Sequence, residues 1–248
     1  MLRFAVEAWR RRTAVCGGEV HEVDGLVVCL TGVPAEWFNA TLVVDPRPDV
    51  GAAIDRARAL YPPDLGFGME VLPDLHPQVR EVVEGRGWRA IDVSPVMTLE
   101  VDALHTPPAP EGLEVVSVND PATLDEVAAI DAAAFGGDAS VTRRFLPDAI
   151  FGDPRQRVYV GMLDGETVAA GETCLVDGVL GVFGVATVPA ARRRGVGAAL
   201  TAHMIADRAD EADAAMLDAS ELGQGVYERL GFRTIMDREV WGPPADPP

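Results

Sequence analysis

The sequence predicts an α/β (α+β) chain in two domains, and three observations carry that prediction. Beyond residue 112, apolar runs with strand alternation and runs with helical spacing follow one another as far as residue 241. Residues 102–112 read Asp-Ala-Leu-His-Thr-Pro-Pro-Ala-Pro-Glu-Gly, where proline excludes regular structure and no apolar period survives. Two short stretches of the first hundred residues are echoed, in the same order, near the end of the chain, which suggests a tandem repeat.

In the second domain, 113–118 alternates as a strand, and a helix starts at Pro121 with Asp120 as its cap. Residues 141–151 read as a second helix. Strands over 156–163 and 166–176 flank the hairpin signal Asp164-Gly165, and a third, 179–188, follows Asp177-Gly178. A helix opens after Gly197, 214–218 is a strand, 224–230 a short helix, and 233–241 the last strand before a proline-rich end.

At 248 residues with 48% hydrophobic content, the chain has ample material for buried cores. No segment has the length of a membrane span, and the opening Met-Leu-Arg-Phe-Ala-Val-Glu-Ala-Trp-Arg-Arg-Arg lacks a long apolar core, so a cytoplasmic protein is expected. Cys16, Cys29 and Cys174 are odd in number and widely spaced, which suits reduced thiols. His21, His76, His105 and His203 do not cluster, and no metal is expected. A formal charge of −18 argues against nucleic acid and anionic membrane as partners. The same acidity either keeps the protein soluble or favours cationic substrates.

Against this acidic background, residues 192–197 read Arg-Arg-Arg-Gly-Val-Gly between an apolar strand and an Ala-rich helix. Glycines at alternate positions let backbone approach a ligand, and a helix start offers unpaired N–H groups and a positive dipole end to an anion. Residues 220–232, Ser-Glu-Leu-Gly-Gln-Gly-Val-Tyr-Glu-Arg-Leu-Gly-Phe, form a second motif downstream. Together the two resemble the acyl-CoA site of the GNAT family of N-acetyltransferases, whose signature Gln/Arg-x-x-Gly-x-Gly/Ala is matched by Arg192, Gly195 and Gly197. The resemblance covers 112–242 and implies a mixed central sheet flanked by helices. It divides the chain into a GNAT-like domain over 1–102, a linker over 103–111 and a catalytic domain over 112–248.

The resemblance also implies roles. Val185, Ala186 and Thr187 would pair with the pantetheine arm of acetyl-CoA, and a nearby N–H would stabilise the oxyanion. Backbone N–H groups of Arg193, Arg194, Gly195, Val196, Gly197 and Ala198 would hold the pyrophosphate beside Arg192, with the arginine side chains secondary. Tyr227, four residues before Gly231, would protonate the departing thiolate, or else pack the short helix against the cofactor arm. Ser220 either bonds the pantetheine arm or caps the following segment. Some members place a glutamate five residues before the position of Ala186; this chain has Gly181 there. Glu172 on the preceding strand is the substitute base, with Asp218 behind it.

In the repeat, 50–54 parallels 196–200 and 84–89 parallels 228–233, while Pro46, Asp49 and Val83 replace Arg192, Gly195 and Tyr227. A carboxylate aimed at a pyrophosphate repels it, so the first copy is expected to have lost acyl-CoA binding. The resulting expectation is one acetyl-CoA per chain and direct transfer to a primary amine, small-molecule or peptide, bound near 124–151. Another acyl-CoA-dependent amide-forming transferase and a non-catalytic acyl-CoA sensor are the alternatives. The sequence sets neither acceptor nor oligomeric state.

Overall fold

The computed structural model describes residues 1–46 and 49–244, and its chain contacts divide into two compact units. Arg47 and Pro48 of the first-copy loop, and 245–248 of the proline-rich end, lie outside the described residues. The first unit is Met1–Val96 with Met236–Pro248; the second is Met97–Ile235.

The first unit opens with α1 (Leu2–Val15), then β1 (Glu19–Val23), β2 (Leu26–Leu30), β3 (Ala40–Val43), α2 (Val50–Arg58), β4 (Gly68–Val71), α3 (Pro77–Gly85) and the start of β5 (Arg89–Glu100). Asp24 and Gly25, both at positive φ, turn β1 into β2, the geometry that Asp-Gly supports in a two-residue hairpin. β2 pairs antiparallel with β3, β3 parallel with β4, and β4 antiparallel with the end of β11 (Arg233–Gly242), so the sheet is mixed. Successive residues of β2 point to opposite faces: Val27 and Cys29 toward the side chains of α1, Leu26 and Val28 into the core shared with α2 and α3.

The second unit contains the end of β5, then β6 (Leu113–Ser117), α4 (Pro121–Phe135), α5 (Ala139–Phe145), β7 (Gln156–Leu163), β8 (Glu166–Val176), β9 (Val179–Thr187), α6 (Val196–Ala206), β10 (Ala214–Asp218), α7 (Gln224–Leu230) and the start of β11. β6 to β9 form an antiparallel meander, and β9 pairs parallel with β10. Both meander turns are Asp-Gly, with Asp164, Gly165, Asp177 and Gly178 at positive φ. Leu124, Val127 and Ile130 of α4 pack on Val158, Val160, Ala170 and Ala186. On the opposite face Val196, Leu200 and Met204 of α6 pack on Tyr159, Ala169, Leu180 and Val182. Asp120 caps α4 as expected, its carboxylate accepting from Thr123 N–H at 3.0 Å.

One expected element is broken in two. The helix read over 141–151 is α5, capped by Asp138 and ending at Phe145, followed by a short 3-10 turn over Asp148–Gly152. Pro147 is the cause: its ring disfavours helical backbone at Leu146, which sits at φ −113°, ψ 64°. The proline-rich stretch 103–111 belongs to the second unit. Leu104 packs on that unit's core, and His105 N–H donates to the Leu230 carbonyl at 3.0 Å.

Candidate functional site

The site grows from a defect in β9. The β8/β9 register runs Ala169 opposite Thr187 and Ala170 opposite Ala186, then slips by one so that Glu172 stands opposite Phe183. Gly184, at φ 57°, takes up the extra residue, a bulge that bends the strand and re-aims the N–H groups around Val185. On its other edge, among the described residues, β9 pairs with β10 only over Val179, Leu180 and Gly181. The edge of 185–187 beyond that point can receive an extended ligand arm by strand addition.

After β9 a 3-10 turn, Pro189–Ala191, leads into Arg192, then Arg193 at φ 60° and Gly195 at φ 85°. Gly195 is the N-cap residue of α6 and makes no side-chain cap bond; its carbonyl accepts from Ala199 N–H at 3.0 Å, opening the helix. The N–H groups of Val196, Gly197 and Ala198 therefore have no carbonyl one turn earlier to bond, and they lie at the positive end of the helix. A Cβ on Gly197 would stand 3.4 Å from the Thr187 hydroxyl, an ordinary contact, so this side of the helix start is uncrowded. This uncapped, glycine-lined end suits a pyrophosphate.

The three arginines differ in what they do. All three are exposed, and the difference lies in hydrogen bonding. Arg192 donates from Nε to the Thr187 carbonyl at 3.1 Å and from Nη2 to the Ala134 carbonyl of α4 at 2.8 Å.

Tyr227 and Ser220 converge on Gly223, where a Cβ would meet Tyr227 Cε2 at 2.9 Å and Ser220 Oγ at 3.1 Å. Ser220 is exposed, and its Oγ accepts from Gly223 N–H at 3.2 Å, the local capping role that the sequence allowed. Tyr227 is only 9% exposed, edge-on to Phe232, and burial pushes its phenol up to about 12. The proton therefore stays on the oxygen throughout the neutral range.

Glu172 is half-buried on β8, with Oε1 3.8 Å from where a Cβ of Gly184 would be, so its carboxylate stands beside the bulge. Asp218 ends β10 at an exposed position. A third carboxylate went unnoticed in the sequence. Asp131 of α4 accepts from Thr142 Oγ1 at 3.1 Å, and its carboxyl is shifted up by burial, with the negative charge of Glu172 adding to the shift. The overlooked signal was periodic: Asp131 lies four residues after Val127 and three after Ala128, on the apolar stripe of α4 where a carboxylate is out of place. Among the described residues no group of three or more His, Cys, Asp or Glu side chains could hold a metal ion. No helix there is long and apolar enough to cross a membrane.

The first unit contains a similar succession, β3, α2, β4, α3 and β5, with different chemistry. Asp49, at φ −101°, caps α2 by accepting from Ala52 N–H at 3.2 Å. A Cβ on Gly51 would come within 2.3 Å of Nη2 of Arg86, whose guanidinium fills that space and pairs with Asp55. Val83 is fully buried. The helix ends are alike: Trp88 N–H donates to the Val83 carbonyl at 3.1 Å, and Phe232 N–H to the Tyr227 carbonyl at 3.0 Å.

The second unit is a mixed sheet flanked by helices, with a bulged strand leading into a helix end that has no side-chain cap. Residues 154–234, which lie within the second unit, match the family model of the acetyltransferase (GNAT) domain. A GCN5-related N-acetyltransferase from Kribbella flavida has the same fold, with TM-score 0.75, 24% identity and 96% of each chain covered. A GCN5-related N-acetyltransferase from Sphaerobacter thermophilus aligns with TM-score 0.61 at 17% identity over 88% of this chain and 76% of its own. A tandem GNAT protein from the clavulanic acid biosynthesis pathway gives 0.61 at 17% over 91% and 80%. A search of curated proteins gives no match.

Proposed function

We propose that the chain transfers an acetyl group from acetyl-CoA directly to a primary amine in its second unit. The observation that carries this is the N-terminus of α6, without a side-chain cap, following the 185–187 end of β9, which lies beyond the pairing with β10, a place for a pyrophosphate next to a place for an extended arm. The residues present fit acetyl-CoA as co-substrate. N–H groups of 193–198 would take the pyrophosphate, and the backbone of Val185, Ala186 and Thr187 the pantetheine arm.

In the reaction the amine nitrogen forms the new bond to the acyl carbon as the carbon–sulfur bond breaks. Backbone N–H donors near Val185 offset charge developing on the carbonyl oxygen. Glu172, with Asp131 as its neighbour, accepts the amine proton directly or through water, since an alkylamine is mostly protonated at neutral pH. Tyr227, protonated throughout the neutral range, supplies a proton to the thiolate. The acceptor is a small molecule or a peptide amine, and the protein works in the cytoplasm.

The two units, which differ from the expected domains 1–102 and 112–248 at their edges, are read as a degenerate and an intact copy of one ancestral unit. The self-capped α2 and its arginine-filled glycine support the loss of acyl-CoA binding from the first copy, and the likeness to a solved tandem GNAT protein supports the doubling. The test is release of free CoA from acetyl-CoA in the presence of a panel of primary amines. Stoichiometric acetylated amine is expected. Binding of acetyl-CoA with no amine consumed would replace the enzyme by a sensor, and turnover only with another acyl-CoA would keep the enzyme and change the donor.

A further inference from the structure

The guanidinium of Arg192 stands at a junction between the two halves of this site. Its Nε bonds the last carbonyl of β9 at 3.1 Å, and its Nη2 bonds the Ala134 carbonyl at 2.8 Å, in the final turn of α4. That carbonyl is one of the four that an α-helix leaves without an internal partner; Gly136 N–H takes the one at Ala132 at 3.0 Å. A cation at a helix C-terminus also meets the negative end of its dipole. Three residues before Ala134, close to one turn away on the same helix, is Asp131, whose carboxyl feels the charge of Glu172 beside the β9 bulge.

We propose that Arg192 is a positioning residue that latches the acyl-CoA loop to α4 through its two carbonyl bonds, and thereby holds the last turn of the helix that carries Asp131. This rests on the acyltransferase reading of the site. It assigns the side chain of the first arginine of the loop to the acceptor side of the reaction, leaving the pyrophosphate to backbone N–H groups. Loss of the latch would leave the Ala134 carbonyl to solvent and loosen the last turn of α4. The cradle at the start of α6 contains no side-chain atom of Arg192 and would persist.

Arg192→Met and Arg192→Gln separate a latch from a charge. Gln keeps N–H donors that can serve carbonyls but has no positive charge; Met has neither. The full chain is compared by amide hydrogen exchange with and without acetyl-CoA, and by calorimetric titration with acetyl-CoA. In Arg192→Met, exchange in the last turn of α4 should quicken about tenfold or more, while acetyl-CoA affinity falls less than about fivefold. Arg192→Gln should restore much of the protection. If acetyl-CoA affinity falls about thirtyfold or more in both variants with α4 exchange unchanged, the guanidinium is a phosphate ligand and the proposal is overturned. Unchanged exchange with unchanged affinity also overturns it. If the wild-type protein fails to bind acetyl-CoA, the acyltransferase reading falls, a result distinct from either, because the apo exchange comparison still reads the latch.

Discussion

The two strand–loop–helix junctions of this chain differ in what occupies the helix end. At α6 the N-cap is Gly195 at φ 85° with no side-chain bond, and the space beside Gly197 is uncrowded. At α2 the N-cap is Asp49, which supplies its own carboxylate to Ala52 N–H, while Arg86 fills the space over Gly51. One helix end is capped by its own side chain and the other is not. The fold provides a helix start in both places, and the proposed anion site is the one that side chains leave open. The later helices repeat the lesson: α3 and α7 end with matching backbone bonds, but one places a buried valine where the other places a tyrosine.

The contrast can be broken by substitution, most severely at the tyrosine. Tyr227→Phe keeps the ring and removes the acid, and turnover should fall by about a hundredfold or more with acetyl-CoA affinity little changed. Steady-state kinetics beside a binding titration would show it; undiminished turnover would make Tyr227 a packing residue. Gly195→Asp gives α6 the carboxylate that α2 already has and forces a side chain onto left-handed backbone. Acetyl-CoA affinity should drop on the order of a hundredfold. Asp49→Ala, in the other direction, should cost about 1 kcal/mol of stability by denaturant unfolding, without creating a second acetyl-CoA site.

The smallest effect concerns Asp131. Its proton affinity is raised in the folded protein, so the folded state binds the proton more tightly than the unfolded one does. The stability this gives is fully present below the unfolded pKa, near 3.9, and is lost as pH rises through the folded value. Asp131→Asn, which can still accept from Thr142, should therefore raise the melting temperature at pH 7 by a few degrees or less and leave it unchanged near pH 3.5. A variant less stable than wild type at pH 7 would mean that Asp131 is paired with a cation when ionised.

Much of this was legible in the sequence because the signals were local. Asp-Gly hairpins, the Asp120 cap, strands 156–163 and 166–176 and helix 224–230 each follow from residues within a few positions of one another, and the structure has them. The helix over 141–151 was misread because apolar spacing continued across Pro147, which should have ended it. The bond of Asp131 to Thr142 and the reach of Arg192 to Ala134 join residues well apart in the chain, 58 positions for the latter. No periodicity encodes such a meeting. Nor did the sequence foretell that 236–242, read as the end of the catalytic domain, would group with the first unit, because strand partners are chosen by the whole sheet.

The claim that one helix end is open and the other closed is tested most directly by calorimetric titration of the full chain with acetyl-CoA, wild type beside Gly195→Asp. One molecule should bind per chain, and that binding should be largely lost in the variant. Two bound molecules, or one whose affinity survives Gly195→Asp, would contradict it.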